Sequence, residues 1–156
     1  MISNKKHSSR ALLIFTGIWA GLIIAFGISF MDFIEVAVGI QALLAGLIVL
    51  SALFFYLGGF YYIQVEVDSN KYLMVKHYNL FPIGRKFKAF KIPLGQIHHH
   101  EIKSRLAGLT HWLIIYQSMQ GGIAKYPAVG LSAAGPKGRT EIDEYLSKLE
   151  TLNNSD

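Results

Sequence analysis

The chain of 156 residues contains no cysteine. That absence removes disulfides, thiolate metal ligands and a cysteine nucleophile together. Formal charge is missing from two long stretches, the 21 residues from Ala11 to Met31 and the 30 from Val36 to Val65. Acids are scarce where bases are plentiful: between Ser69 and Arg139 there are eleven Lys/Arg and one carboxylate, Glu101. Catalytic signatures are lacking as well. Ser104 and Ser118 have no G-x-S-x-G setting, no HExxH occurs, and "GPKG" at 135–138 lacks the glycine spacing and the hydroxyl residue of a phosphate loop.

A bilayer core needs roughly 20 apolar helical residues, so each uncharged stretch is long enough to cross once. The rival for the first is a cleaved signal peptide, because Lys5, Lys6 and Arg10 resemble a basic leader. Its apolar run exceeds the ~7–15 residues of such a leader, and no clear cleavage site follows. Two spans are therefore expected, at about 11–31 and 36–60, after an N-terminal tail over 1–10. The only charges between them are Asp32 and Glu35, whereas three bases precede the first span and twelve follow the second. By the positive-inside rule both termini are expected in the cytoplasm, with the chain crossing its membrane twice. The spans carry no Asp, Glu, Lys, Arg or His, which argues against a stand-alone transporter or pump.

Gly17-Ile-Trp-Ala-Gly21 and Ala42-Leu-Leu-Ala-Gly46 place small residues four apart on the two spans. Such faces let helix backbones approach closely. Packing within the hairpin is the simpler use of Gly17, Gly21, Ala42 and Gly46, and packing on another subunit is the other. Trp19, near mid-span, reads as a packing residue. Phe60, Tyr61 and Tyr62 fall where an aromatic belt belongs.

Beyond residue 60 the pattern becomes short alternating runs broken by turn residues. Strands are expected over 61–67, 72–78, 85–92, 97–105, 111–118 and 123–132, with Pro127 restricting the last to an edge or bulge. Thr140 followed by Asp143 has the form of a capping box. Ile142, Tyr145, Leu146, Leu149 and Leu152 then share one helical face.

The Asp68-Ser-Asn-Lys71 hairpin, "RKFKAFKIPLGQI", "HWLIIY" and the closing "GRTEIDEYLSKL" resemble the bacterial pleckstrin-homology-like domain, as found in small membrane proteins with two N-terminal spans. The resemblance covers roughly residues 61–152 and leaves 153–156 as a disordered tail. It implies an α+β membrane protein: a two-helix hairpin, then an antiparallel β-sandwich or barrel closed by a C-terminal helix and used for binding. Eukaryotic members that bind phosphoinositides use a basic hairpin, to which Arg85-Lys86-Phe87-Lys88 is only loosely similar, so no lipid pocket carries over.

Lys71, Lys76, Arg85, Lys86, Lys88 and Lys91 are candidate contacts for anionic headgroups, each base near a charged leaflet contributing about 1 kcal/mol. A solvated basic sheet is the plainer reading. Nucleic acid is not expected, since no recognition motif is present.

The run His98-His99-His100-Glu101 raises a metal site. In an extended strand His98 and His100 share one face, and His99 and Glu101 share the other. Two histidines fall short of the three ligands of a catalytic zinc, although His77 and His111 could supply more. A polar strand is favoured over a metal centre, with protonation strengthening membrane contact as an intermediate case.

The expectation is thus a non-enzymatic membrane protein with no cofactor or metal. Its cytoplasmic domain contacts protein and anionic lipid as an accessory or scaffolding subunit of a larger membrane complex, with homo-oligomers left open. The alternatives are a metal-dependent enzyme using His98 and His100, and a lipid sensor acting alone.

Overall fold

A computed structural model describes residues 1–31, 37–69, 71–83 and 85–153, with side chains described as far as Thr151. The expected turn at 32–35, the central Asn70 of the first hairpin, Gly84, the side chain of Leu152 and residues 154–156 lie outside the described residues.

Two helices come first, α1 over Lys5–Ile28 and α2 over Val38–Leu57. α2, and α1 beyond Arg10, are predominantly apolar on every side, and most of their side chains face outward. A helix apolar on every side has to be covered by something other than water, and both are long and apolar enough to cross a membrane. Their mutual contact is aromatic and polar. Phe15 stacks on Phe55 with ring centroids 3.9 Å apart, the Trp19 indole donates to the Ile48 carbonyl at 3.2 Å, and the Gln41 amide donates to the Ser29 carbonyl at 2.8 Å. Trp19 is a packing residue, as expected. The small residues are elsewhere: Gly17, Gly21, Ala42 and Gly46 are all exposed, and a Cβ added at any of the three glycines would meet no atom within 4 Å. Bulky rings set the helix separation here, so the hairpin does not use the close approach that small residues permit.

Among the described residues eight strands form two antiparallel sheets. The first has the order β1 (Ile2–Ser3), β2 (Tyr61–Asp68), β3 (Tyr72–Asn79) and β4 (Lys88–Pro93). Pro93 ends β4, a single 3₁₀ turn over Leu94–Gln96 changes direction, and the chain enters the second sheet. That sheet contains β5 (Ile97–Arg105), β6 (Thr110–Met119) and β7 (Gly122–Lys125), with the short β8 (Val129–Gly130) pairing β6 near its start. Residues 123–132, expected as one strand, are divided into β7 and β8 around Pro127, which lacks the N–H a ladder needs. β4 starts three residues later than expected.

One core joins the two sheets to the last helix, α3 (Gly135–Asn153). Ile63, Val65, Leu73, Val75 and Ile92 meet Leu113, Ile115 and Val129 and, from α3, Ile142 and Leu146. Alternate strand positions supply these residues, which follows from the two-residue period of a strand. Each fully buried side chain of this kind contributes about 1.5–3 kcal/mol.

Two boundaries correct the sequence reading. The N-terminal segment is not a free tail: Ile2 and Ser3 pair with Val65 and Gln64, and α1 begins at Lys5. Asn4 makes that start possible. Its backbone N–H donates to the Ile63 carbonyl at 3.1 Å, its side-chain amide donates to the Tyr61 carbonyl at 2.8 Å, and its Oδ1 accepts from the Ile63 N–H at 2.9 Å. The side chain thus continues the ladder where the backbone turns into the helix. At the other end α3 starts at Gly135 (φ +66°) rather than at Thr140. Proline is tolerated in a first helical turn, so Pro136 does not delay the helix. Thr140 then lies inside it, donating back to the Pro136 carbonyl at 3.2 Å.

Asn4→Ala removes two side-chain hydrogen bonds from a residue only 2% exposed. It should destabilise the protein by about 1–3 kcal/mol, read as a lower midpoint in denaturant or thermal unfolding. Gly130→Ala should be worse, because the new methyl would fall on the Gly59 backbone.

Candidate functional site

Strand direction gives the domain two distinguishable ends. β2 starts three residues after α2 stops, so Tyr61, its partner Asn79, and the His77–Lys88 pair adjoin the helices. Asp68, Tyr72 and Pro93 mark the opposite end, roughly 23 Å away for an eight-residue strand.

The six basic candidates divide between these ends. Lys71 and Lys91 belong to the far end, where the Lys91 ammonium pairs with Asp68 at 2.8 Å. Lys76 lies mid-strand and pairs with Glu66 at 2.6 Å. Arg85, Lys86 and Lys88 are at the helix end, on the segment that leads into β4. The Arg85 guanidinium donates to the carbonyls of Leu80 at 3.1 Å and Phe81 at 3.3 Å. It borders a cleft of about 400 Å³ between the first turns of α1 and the outer face of β2 and β3, together with Lys5, Leu12, Tyr62, Tyr78 and Phe87. A second, smaller cavity of about 160 Å³ lies nearby, against the C-terminal turn of α2.

These ion pairs set the local titration. A hydrogen bond from Lys76 holds the Glu66 carboxyl below its ordinary value, and Lys91 does the same for Asp68. On the second sheet Lys103 lowers Glu101 and is itself raised by it. Two histidines shift the other way from a paired base. Burial, with Lys88 next in weight, lowers His77; burial, with Arg139, lowers His111.

The histidine run does not alternate as an ideal strand would. Ile97 pairs with Gln117 and His99 with Tyr116, which leaves His98 as the extra residue of a bulge. His98 is exposed, with its ring against that of His99. His99 and Glu101 do share a face, as expected: His99 stacks on Tyr116 at 4.2 Å and lies 3.9 Å from Glu101. His100 faces the core side. Its side chain is 5% exposed, with Nε2 2.8 Å from Asp143 and Nδ1 2.6 Å from Glu150. A neutral imidazole has one N–H, so only the doubly protonated ring donates to both carboxylates. The arrangement is a polar strut from β5 to α3. The bulge separates His98 from His100, and among the described residues no three His, Asp or Glu side chains form a group that could hold a metal.

Sequence reasoning missed this strut and the Asn4 clasp. Asp143 and Glu150 are seven residues apart on a helix, hence on one face, and beside the apolar stripe that must pack on the sheet. That spacing was a usable signal for a basic partner. Asn4 offered none, because one asparagine before a basic cluster looks like any polar terminus.

Scans of family models, curated proteins and solved structures find no match to this chain.

His100→Ala should loosen α3 from β5 and cost about 1.5–3 kcal/mol, the range for hydrogen bonds to charged groups, seen as a lower unfolding midpoint. Acid should destabilise the fold through His77 and His111. His77 and His111 are harder to protonate folded than unfolded, so the unfolded chain binds more protons as pH falls below the ordinary histidine value of 6.5. The stability they contribute is complete above that value and is lost below it. Unfolding midpoints should fall from pH 7.5 to 5.5, and His77→Gln should flatten part of that slope.

Proposed function

We propose that the chain is a non-enzymatic protein of a bacterial inner membrane, held by the α1–α2 hairpin, with a pleckstrin-homology-like domain on the cytoplasmic side that contacts protein and anionic lipid. The observation that carries this reading is the pairing of β1 with β2. Because Ile2 and Ser3 hydrogen-bond to the strand that follows α2, the start of α1 and the end of α2 are at one level. If the helices cross a bilayer, the N-terminus and the domain share a side. The basic residues Lys5, Lys6 and Arg10 then collect with Arg85, Lys86 and Lys88, and the positive-inside rule places that side in the cytoplasm.

The sheet order supports the pleckstrin-homology-like reading: four strands, a 3₁₀ step, three further strands with a short fourth, and a closing helix packed on the shared core. An accessory or scaffolding role in a larger membrane complex suits the outward small faces of Gly17, Gly21, Ala42 and Gly46, which leave room for another helix.

Cysteine introduced at Gln120, in a chain that otherwise has none, tests the topology. An impermeant maleimide should leave it unlabelled in intact cells and label it after permeabilisation, while the protein stays in the membrane pellet through alkaline carbonate. Labelling in intact cells would reverse the orientation. Release by carbonate would remove the membrane anchor itself.

A further inference from the structure

The smaller cavity at the helix end has an unusual balance of polar groups. It lies between the last turn of α2, strands β2 and β3, and the loop into β4, and is lined by Tyr56, Tyr61, His77, Asn79, Lys86 and Lys88, with Ile83 at its edge. Every ionisable group in that set is a potential donor, and no carboxylate lines it among the described residues. Lys86 and Lys88 enter no ion pair, and the Tyr56 and Tyr61 hydroxyls have no hydrogen-bond partner, among the described residues. His77 is 7% exposed, and its buried Nδ1 has no hydrogen-bond partner among the described residues.

Buried polar atoms are seldom left unpaired, since each costs on the order of 1–3 kcal/mol. Asn79 is held in place: Nδ2 donates to the Tyr56 carbonyl and Oδ1 accepts from the Phe81 N–H, which leaves it one neutral lone pair and one N–H and no charge to set against the two ammonium groups. Those two bonds fix the loop against the helix end, so the cavity walls are tied together. Around one space of about 160 Å³ there are two ammonium groups, two phenols and an imidazole without acceptors.

We propose that this cavity is a phosphate-binding site, taking the phosphate group of a membrane phospholipid with Lys86 and Lys88 as its charge partners and His77 at its inner wall. A phosphate offers several acceptor oxygens and a negative charge, which matches a surplus of donors. Lysine is a point-charge partner for phosphate and does not demand forked geometry. The lipid source rests on the membrane reading given above, whereas the phosphate chemistry does not. Tyr56 belongs to the last turn of α2, and both it and Ile83 are exposed, so the rim is amphipathic at the level where headgroups meet acyl chains. The far-end lysines lack this setting, Lys91 being paired with Asp68.

The full-length protein, labelled with ¹⁵N-histidine and assigned by comparison with His77→Gln, tests the site through the titration of the His77 ring. Burial and Lys88 lower that group in the free protein. A neighbouring anion should raise its midpoint by on the order of one pH unit. The midpoint should rise in phosphatidylglycerol nanodiscs relative to nanodiscs of uncharged galactolipid. Lys86→Gln/Lys88→Gln should abolish the rise, and Lys71→Gln should preserve it. In a parallel arm, inorganic phosphate is added to protein in a non-ionic, phosphate-free detergent. A response to inorganic phosphate with equal midpoints in the two nanodiscs would keep the phosphate site and overturn the lipid source. No response in either arm, or a response that survives the double lysine substitution, would overturn the site. Failure of the membrane reading shows separately, as release by carbonate, and leaves the inorganic phosphate arm as a valid test.

Discussion

Three residues, Gly58, Gly59 and Phe60, turn α2 into β2, and the two sheets and the two hairpin helices converge on them. Gly59 has φ +74° with the Trp112 ring and the Gly130 backbone packed against it. In that conformation a side chain would be strained and would also have no room. The joint is closed by hydrogen bonds from the second sheet's side of the molecule: the Ser132 hydroxyl donates to the Gly58 carbonyl at 2.6 Å and the Ser132 N–H to the Gly59 carbonyl at 3.1 Å. The same hydroxyl accepts from the His111 N–H at 3.0 Å. Phe60 stacks on Phe55 of the helix at 4.7 Å. With Asn4 holding α1 to the same strand, two helices and two sheets meet with no free linker between them.

Charge is arranged around that joint rather than spread over the surface. At the far end and in mid-strand, each carboxylate of the first sheet takes a lysine, Glu66 with Lys76 and Asp68 with Lys91. Exposed pairs like these contribute little to stability. Their effect is to cancel charge locally, which leaves Arg85, Lys86 and Lys88 near the helices, and Lys71 in the far hairpin, without an ion pair among the described residues. Glu101 and Lys103 do the same on the second sheet. Net charge alone, +5 over the chain, says nothing of this gradient, which exists only once register places each acid opposite its base.

Much of the architecture was legible because it is written in periodicity. Uncharged runs gave the two helices, and alternation gave β2, β3, β5 and β6 to within one residue at each end. What sequence could not supply were contacts between residues far apart in the chain. The N-terminal strand is two residues long, too short for any period, and exists only because β2 offers an open edge. Alternation through the histidine run failed at one inserted residue, His98, since a bulge shifts every later side chain to the other face. Of the six candidate headgroup bases five are exposed and Lys76 is half-buried, and which of them are already paired depends on strand register. The small-residue faces were legible as faces; their outward direction was decided by Phe15, Trp19 and Phe55 packing first.

A joint without slack has a mechanical consequence. α1 has 24 residues, about 36 Å at 1.5 Å per residue, which is longer than the ~30 Å hydrocarbon core requires. Its first turns are used by the domain: Ser8 is buried and Lys5, Ser8 and Leu12 wall the larger cleft. One continuous helix therefore belongs both to the apolar hairpin and to the folded domain, and a helix resists bending unless proline, glycine pairs or an inserted side chain interrupt it. Tilting the hairpin must then tilt the sheets with it. Groups on the helix-end loops, such as Lys86 and Tyr56, keep a fixed height relative to the end of α2. A flexible tether in place of Gly58-Gly59-Phe60 would forfeit that fixed height.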